Sequence, residues 1–297
     1  MEKLKAYLEL VRAHNLLATA LGVIAGSMLV VKPLLVPALI AIITAVMIAA
    51  AGYAINDYFD IEIDKINKPE RPIPSGRISP REALLLSYPL FFLAPLIALI
   101  VGIFTALFAA INSVLMYFYS RSLKRMGLIG NLVVAFSTAA TLFYGALAQV
   151  EWIKEWKVLA LIMPVVLMTF FLGLAREIVK GVEDYYGDKA NNVRTLAVVW
   201  GPHKALKTAL ILTIVSIIMA IISFFTTPLS YLFLALTVSA GIASVISIAK
   251  AMKGKDPVSA AKVPRRVMKI AMFVGLIAII LDRSLSLALL GYKAEEA

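Results

Sequence analysis

Cysteine is absent from the 297 residues, which excludes disulfides, thiolate metal sites and cysteine nucleophiles. Histidine is nearly so: His14 and His203 stand far apart and read as interfacial residues rather than ligands. Charge is scarce as well. Only 16% of residues are charged, against about 25% in a soluble domain. Apolar residues fill the gap, at 61% of the chain. They gather into runs close to the ~20 residues that cross a hydrocarbon core as a helix. Nine runs can be drawn, at about 14–31, 33–55, 82–101, 103–120, 128–149, 157–176, 204–224, 228–249 and 265–290. The chain therefore reads as an all-α, polytopic membrane bundle of nine transmembrane helices, one integral-membrane domain over residues 1–297.

The opening MEKLKAYLELVR is amphipathic and leads into the first run without a small-residue cleavage pattern. It is expected to be an interfacial helix feeding a span, not a cleavable leader. A net charge of +11 would suit nucleic acid, but the basic residues lie between the apolar runs. Of 29 Lys and Arg, 24 fall in the N-terminal segment and in or beside the loops near 56–81, 121–127, 177–203 and 250–269. The positive-inside rule puts these segments and the N-terminus in the cytoplasm and the C-terminus outside. A multi-pass protein of the cell membrane is expected, in contact with membrane lipid, with no nucleic acid and no obligate protein partner. The long polar loops share the cytoplasmic side, so chemistry is expected there. Asp282 and Arg283, late in the last run, read as a mutual pair at its outer end.

One loop departs from what a span end usually carries. NDYFDIEIDKINKPERPIPSGR, residues 56–77, sets four acidic residues within eight positions directly after an uncharged apolar run, then turns basic and Pro/Gly-rich. On a helix advancing about 100° per residue, Asp57, Asp60 and Asp64 lie within about 60° of one another, with Asn56 some 40° beyond Asp60. REIVKGVEDYYGD, residues 176–188, repeats the pattern: Glu177, Asp184 and Asp188 share a stripe within about 40°, flanked by Lys180, with Gly181 giving room. Like charges on one helix face repel, so each stripe calls for a cation. Oxygen-only donors suit Mg²⁺, which keeps several waters and bridges carboxylates to substrate phosphate. Solvated helix ends would explain one such cluster; two with matching facial geometry favour a site built from two half-sites.

Basic residues complete it. Arg71, Arg77 and Arg81 follow the first cluster, Arg121, Lys124 and Arg125 occupy YSRSLKRMGLIGN, and Lys180 and Arg194 accompany the second. Carboxylates, Mg²⁺ and Arg/Lys together clamp a diphosphate. At a lipid boundary above spans rich in small residues, the leaving group would sit on a long apolar tail, as in an allylic isoprenyl diphosphate. Tyr117, with Phe118 and Tyr119, could face the resulting carbocation. Asn15, with Arg12 and His14, could meet a phosphate on the acceptor.

These residues carry a family resemblance. NDYFDIEID resembles the N-D-x-x-D-x-x-x-D motif of the UbiA superfamily of intramembrane prenyltransferases, and KGVEDYYGD is similar to its second Asp-rich motif. The likeness extends through NKPERPIPSGRIS and YSRSLKRMGLIGN over nearly the whole chain. REIVKGVEDYYGDKANNVRTLA is most similar to the branch that attaches a second C20 chain to the glycerol of archaeal ether lipids. The resemblance implies a helical bundle opening laterally to lipid. It further implies Mg²⁺-dependent geranylgeranyl transfer from geranylgeranyl diphosphate to a lipid-like acceptor, geranylgeranylglyceryl phosphate. Asn56, Asp60 and Asp64 would bind one Mg²⁺–diphosphate unit, Asp184 and Asp188 the other, and Lys124 would hold the diphosphate; Asp60, Asp184 and Lys124 would be catalytic. Many relatives read K-D-x-x-D in the second motif. Here Gly181 takes the first Asp position, and Glu177, one turn earlier, would replace that carboxylate.

Two other readings compete. An ion-coupled transporter would carry its acidic residues near mid-span; here they sit at span ends beside basic loops. Within the enzyme class, the acceptor could instead be an aromatic quinone precursor. A CDP-alcohol phosphotransferase would require D-G-x-x-A-R, which does not occur.

Overall fold

The computed structural model describes residues 2–295. Met1, Glu296 and Ala297 lie outside the described residues, as do the side chains from Leu290 onward, Lys293 among them. Every regular element described is helical. In chain order these are α1 (Glu2–Leu10), α2 (Ala13–Ser27), α3 (Leu35–Phe59), α4 (Ile61–Asn67), α5 (Pro80–Ala98), α6 (Ile103–Arg121) and α7 (Leu128–Ile153). There follow α8 (Lys157–Glu183), α9 (Tyr185–Ala190), α10 (Leu196–Trp200), α11 (Pro202–Thr226), α12 (Tyr231–Lys253), α13 (Pro257–Ala260) and α14 (Lys262–Glu295). Among the described residues, eight helices are long and apolar enough to cross a membrane; α1 and α2, bent by 51°, make a ninth when taken together. The bend falls at Arg12, whose φ of 52° is left-handed.

The helices pair in two halves. In the first, α3 packs on α5 and α2; in the second, α8 packs on α11 and α12 packs on α14. Helix α7 joins them, contacting both α2 and α8. Its approach to α2 depends on missing side chains: a Cβ on Gly26 would meet the Leu142 carbonyl oxygen at 2.0 Å, and one on Gly145 the Val23 carbonyl oxygen at 2.1 Å. Large apolar residues such as Phe92 and Phe225 point outward, as lipid-facing surface requires.

Local sequence explains the turns that position the site. SPRE starts α5 with a capping box, Ser79 and Glu82 each bonding the other's backbone N–H, and Pro80 in the first turn. The apolar stretch 82–120 does break, after Ala98. Buried Glu151 of α7 holds the new helix start by accepting from the backbone N–H groups of Phe104 and Thr105 at 3.0 and 2.7 Å.

Asp282 and Arg283 differ from the expected mutual pair. Both are buried, and each bonds backbone or hydroxyl groups of loops instead of the other: both reach the 228–230 turn, and Arg283 also reaches the loop after α2. Asp282 accepts from the Ser230 and Phe233 backbones and the Ser230 hydroxyl. Arg283 donates to the carbonyls of Met28, Pro228, Val30 and Val31. Neighbours in a helix point about 100° apart, so adjacency along the chain keeps these two heads apart.

Candidate active site

Both acidic clusters are built by one backbone device. Helix α3 stops at Phe59, Asp60 takes φ −98°, ψ 7°, and the short α4 begins. Helix α8 stops at Glu183, Asp184 takes φ −85°, ψ 7°, and the short α9 begins. Each Asp sits in the bridge region between helical and extended backbone. The stripes expected on one continuous helix are thus carried by two helices with an Asp at the joint. Asp64 still bonds back to the Asp60 carbonyl, and Asp188 to the Asp184 carbonyl, at 2.7 and 2.9 Å, so the registers survive.

The clusters occupy the same end of the bundle. Gly127, at φ 57°, lies so close to the 191–195 segment that a Cβ would meet the Arg194 carbonyl oxygen at 2.0 Å. The Lys124 loop beside the first cluster therefore packs on the loop leaving the second. Tyr119 stands between, in the field of both Glu177 and Asp60.

Resident cations fill the first cluster. Asp57, 3% exposed, takes Arg12 at 2.8 Å and Arg71 at 3.2 Å, and Arg71 also reaches Asp64 at 2.5 Å. Lys124 pairs with Asp60 at 2.7 Å and donates to the Asn56 side-chain amide oxygen at 2.9 Å; Arg125 stands 3.7 Å from Asp60. Burial holds the Lys124 ammonium below its ordinary pKa, and the bond to Asp60 offsets only part of that. In the second cluster, buried Glu177 takes Arg176 at 2.7 Å and Lys180 at 3.8 Å. Glu183 turns away to Arg265 at 2.8 Å. Among the described residues, Asp184 and Asp188 have no ion-pair partner. Burial, and then the charge of Asp184, push the Asp188 carboxyl up against weaker opposing pulls from Thr195 and Lys180.

A cavity of about 950 Å³ opens at this end. Asn56, Asp60, Asp64, Arg71, Lys124 and Asn15 line its polar part. Small and apolar side chains, among them Gly22, Ala49, Gly241 and Leu276, line its interior. Asp57, Glu177, Lys180, Asp184 and Asp188 lie off the wall, Glu177 paired to Arg176, which is on it. Arg77 is also off it, paired with Glu9 at 2.7 Å and donating to the Glu70 carbonyl. Arg121 is exposed, and Tyr117 packs against Phe59, Tyr88 and Phe118 outside the cavity. Tyr53 and Tyr119 are the aromatic rings that reach the polar part, Tyr53 under the Arg12 guanidinium at 4.9 Å.

Arg176 and Lys269 line the cavity as well, and sequence reasoning passed over both. The available signal was position: each is a charge set in an apolar stretch, FFLGLAREIV and RVMKIAMFVG, where charge is costly.

Among the described residues, no three carboxylate or imidazole groups converge as a self-sufficient metal site. The donor set suits a hard cation that brings other ligands with it. Mg²⁺ takes one or two carboxylates and completes its shell with water and substrate phosphate. The unpartnered Asp184 and Asp188, repelling one another, fit that requirement.

Comparison with known proteins agrees with this geometry. A digeranylgeranylglyceryl phosphate synthase of Ignicoccus hospitalis is 55% identical over 95% of this chain and 92% of its own. Another, from Saccharolobus solfataricus, is 41% identical over 94% of this chain and 96% of its own. A solved digeranylgeranylglyceryl phosphate synthase structure superposes with a TM-score of 0.82 at 30% identity, covering 95% of this chain and 99% of its own. A UbiA homologue of Archaeoglobus fulgidus bound to DMAPP and Mg²⁺ shares the fold, with a TM-score of 0.70 at 20% identity, over 92% of this chain and 98% of its own. The model of the UbiA prenyltransferase family matches residues 15–276, and the chain belongs to that family.

Proposed function

We propose that this protein transfers the geranylgeranyl group of geranylgeranyl diphosphate to geranylgeranylglyceryl phosphate, releasing diphosphate, in archaeal ether-lipid synthesis at the cell membrane. The observation that carries the reading is one continuous cavity. Carboxylates and cations crowd its mouth, and its apolar interior can hold an isoprenoid chain. The names of the relatives at 55% and 41% identity supply the acceptor class. The positive-inside rule puts the mouth at the cytoplasmic face.

Lys124 and Arg71 bind the diphosphate, and their fixed positions, set by Asp60, Asp57 and Asp64, mean little reorganisation as charge builds on the leaving group. Asn56, Asp60 and Asp64 on one side and Asp184 and Asp188 on the other, with Glu177 behind them, would hold a Mg²⁺–diphosphate unit, and the metal would supply neutralisation of the charge developing on the leaving group. The C1–O bond of the donor breaks and its electron pair leaves with diphosphate. The acceptor hydroxyl oxygen bonds to C1, and its proton departs with the product diphosphate. Tyr53 and Tyr119 offer ring faces to the allylic cation in place of Tyr117. Apolar walls keep water from intercepting it.

The test uses purified protein, labelled geranylgeranyl diphosphate and a panel of acceptors, with and without Mg²⁺. Product with geranylgeranylglyceryl phosphate, lost on chelation, is expected. Transfer to 4-hydroxybenzoate instead would make the acceptor an aromatic ring. Cation flux in proteoliposomes with no transfer product would overturn the enzyme.

A further inference from the structure

The donor head, as proposed, uses the α3–α4 joint and the α8–α9 joint and leaves without a role the two cations of α8 and α14 that line the cavity wall, Arg176 and Lys269. These two helices run antiparallel, in a register fixed at two levels. Near the surface Glu183 pairs with Arg265 at 2.8 Å. Deeper, a Cβ on Gly173 would stand 3.9 Å from the Met272 side chain. Between these levels stand Arg176, one turn from Gly173, and Lys269, one turn from Met272, and both line the cavity.

The two cations are not consumed by their surroundings. Arg176 spends one terminal nitrogen on Glu177, at 2.7 Å, while its Nε–H is buried with no partner. A buried donor left unpaired is costly, so an acceptor that ordinarily occupies that place is expected. Lys269 has no ion-pair partner among the described residues. Arg12, the other cation that could meet an acceptor phosphate, is already bound to Asp57 and stacked on Tyr53.

We propose that Arg176 and Lys269 form a second anion subsite, which holds the phosphate-monoester head of the lipid acceptor opposite the donor diphosphate at Asp60, Arg71 and Lys124. The subsite rests on the acceptor class proposed above and adds where its phosphate is recognised. An apolar wall continues below the pair through Leu172, Met272, Gly275 and Leu276, in line to take the acceptor's own chain. The donor chain then follows the α2–α3 wall past Gly22 and Ala49. Arg suits the task because its planar fork matches phosphate oxygens, and Lys adds a mobile point charge.

Steady-state kinetics on Arg176→Gln, Arg176→Lys and Lys269→Gln test the assignment, with a phosphorylated and a phosphate-free geranylgeranylglycerol as acceptors. The KM for the phosphorylated acceptor should rise about tenfold in each Gln variant, the loss of a charge-assisted bond, while the donor KM stays within about twofold. The preference for the phosphorylated over the phosphate-free acceptor should fall by the same factor, with Arg176→Lys partly restored. Inorganic phosphate should compete with the acceptor in the unmodified enzyme and much less in Lys269→Gln. Because Lys269 is exposed, that variant folds even if loss of Arg176 disturbs Glu177. Unchanged acceptor KM, a parallel rise in both KM values, or phosphate competing with the donor would each overturn the subsite. If the unmodified enzyme uses neither glycerol lipid, the acceptor class itself fails; if it uses the phosphorylated one and the variants do likewise, only the subsite does.

Discussion

The two acidic clusters share a backbone and differ in charge. Each is a long helix broken at an Asp in the same bridge conformation and continued by a short helix. In the first, Arg12, Arg71, Lys124 and Arg125 already stand at Asp57, Asp60 and Asp64. In the second, inner Glu177 is paired and the outer Asp184 and Asp188 are not. On the proposed reading, the same fold element makes a preassembled anion clamp on one side and a cation seat on the other, and a metal-loaded diphosphate would satisfy both.

The comparison breaks most completely at the joints. Asp60→Ala frees Lys124 from its anchor and removes a diphosphate-side ligand, and Asp184→Ala removes the seat. Each should lower kcat/KM by on the order of 10²–10³ or more, the loss typical of a preorganised charge-stabilising group, measured with labelled donor at saturating Mg²⁺. Equal activity in both variants and the unmodified protein would end the two-sided picture.

The next effect separates the clusters by stability. Asp57 is buried between two guanidinium groups and lies off the cavity wall. Asp57→Asn leaves Arg12 and Arg71 facing each other without their shared counter-charge, which should cost ~3 kcal/mol or somewhat less, because both arginines keep some solvent. A melting temperature several degrees lower in detergent is expected. Asp188→Asn removes like-charge repulsion and should leave the melting temperature unchanged or slightly higher. It should instead raise the Mg²⁺ concentration for half-maximal transfer by about tenfold, the loss of one carboxylate ligand.

Much of this was legible in the chain, and the gaps have physical causes. Helical periodicity finds the stripes because Asp57, Asp60 and Asp64 recur at one face, and span lengths follow from apolar runs. Periodicity does not show that a helix stops at Asp60, since a one-residue bridge conformation preserves the register on both sides. Nor does it show which cation answers which anion. Arg12 meets Asp57 from 45 positions away because the chain bends at that residue, and Lys269 comes to line the same cavity as Arg176 only because α14 packs on α8. Arg77 looked like a clamp residue from RPIPSGR, yet it ties the loop to Glu9 of α1. Such pairings belong to tertiary register, which a single chain of letters does not display.

The mildest test sharpens the comparison by making the second cluster more like its relatives. Gly181 occupies the position where many UbiA relatives carry the first Asp of the second motif, and a Cβ there would sit 3.6 Å from Thr195, ordinary contact. The backbone at 181 is plain α-helix, so Gly181→Asp brings a carboxylate without backbone strain and gains some helix propensity. The added charge would stand one turn before Asp184 and Tyr185, and on the same side as Glu177 and Asp188. If Asp184 and Asp188 form a seat that is one ligand short, the new carboxylate should lower the Mg²⁺ needed for half-maximal transfer by about threefold, a fraction of what a full ligand contributes because Lys180 stands beside it. If Glu177 already supplies the missing ligand, a fourth negative group adds repulsion, and the requirement should stay the same or rise. In that event Glu177→Gln should restore the gain in the double variant, which assigns the third carboxylate to position 177 directly.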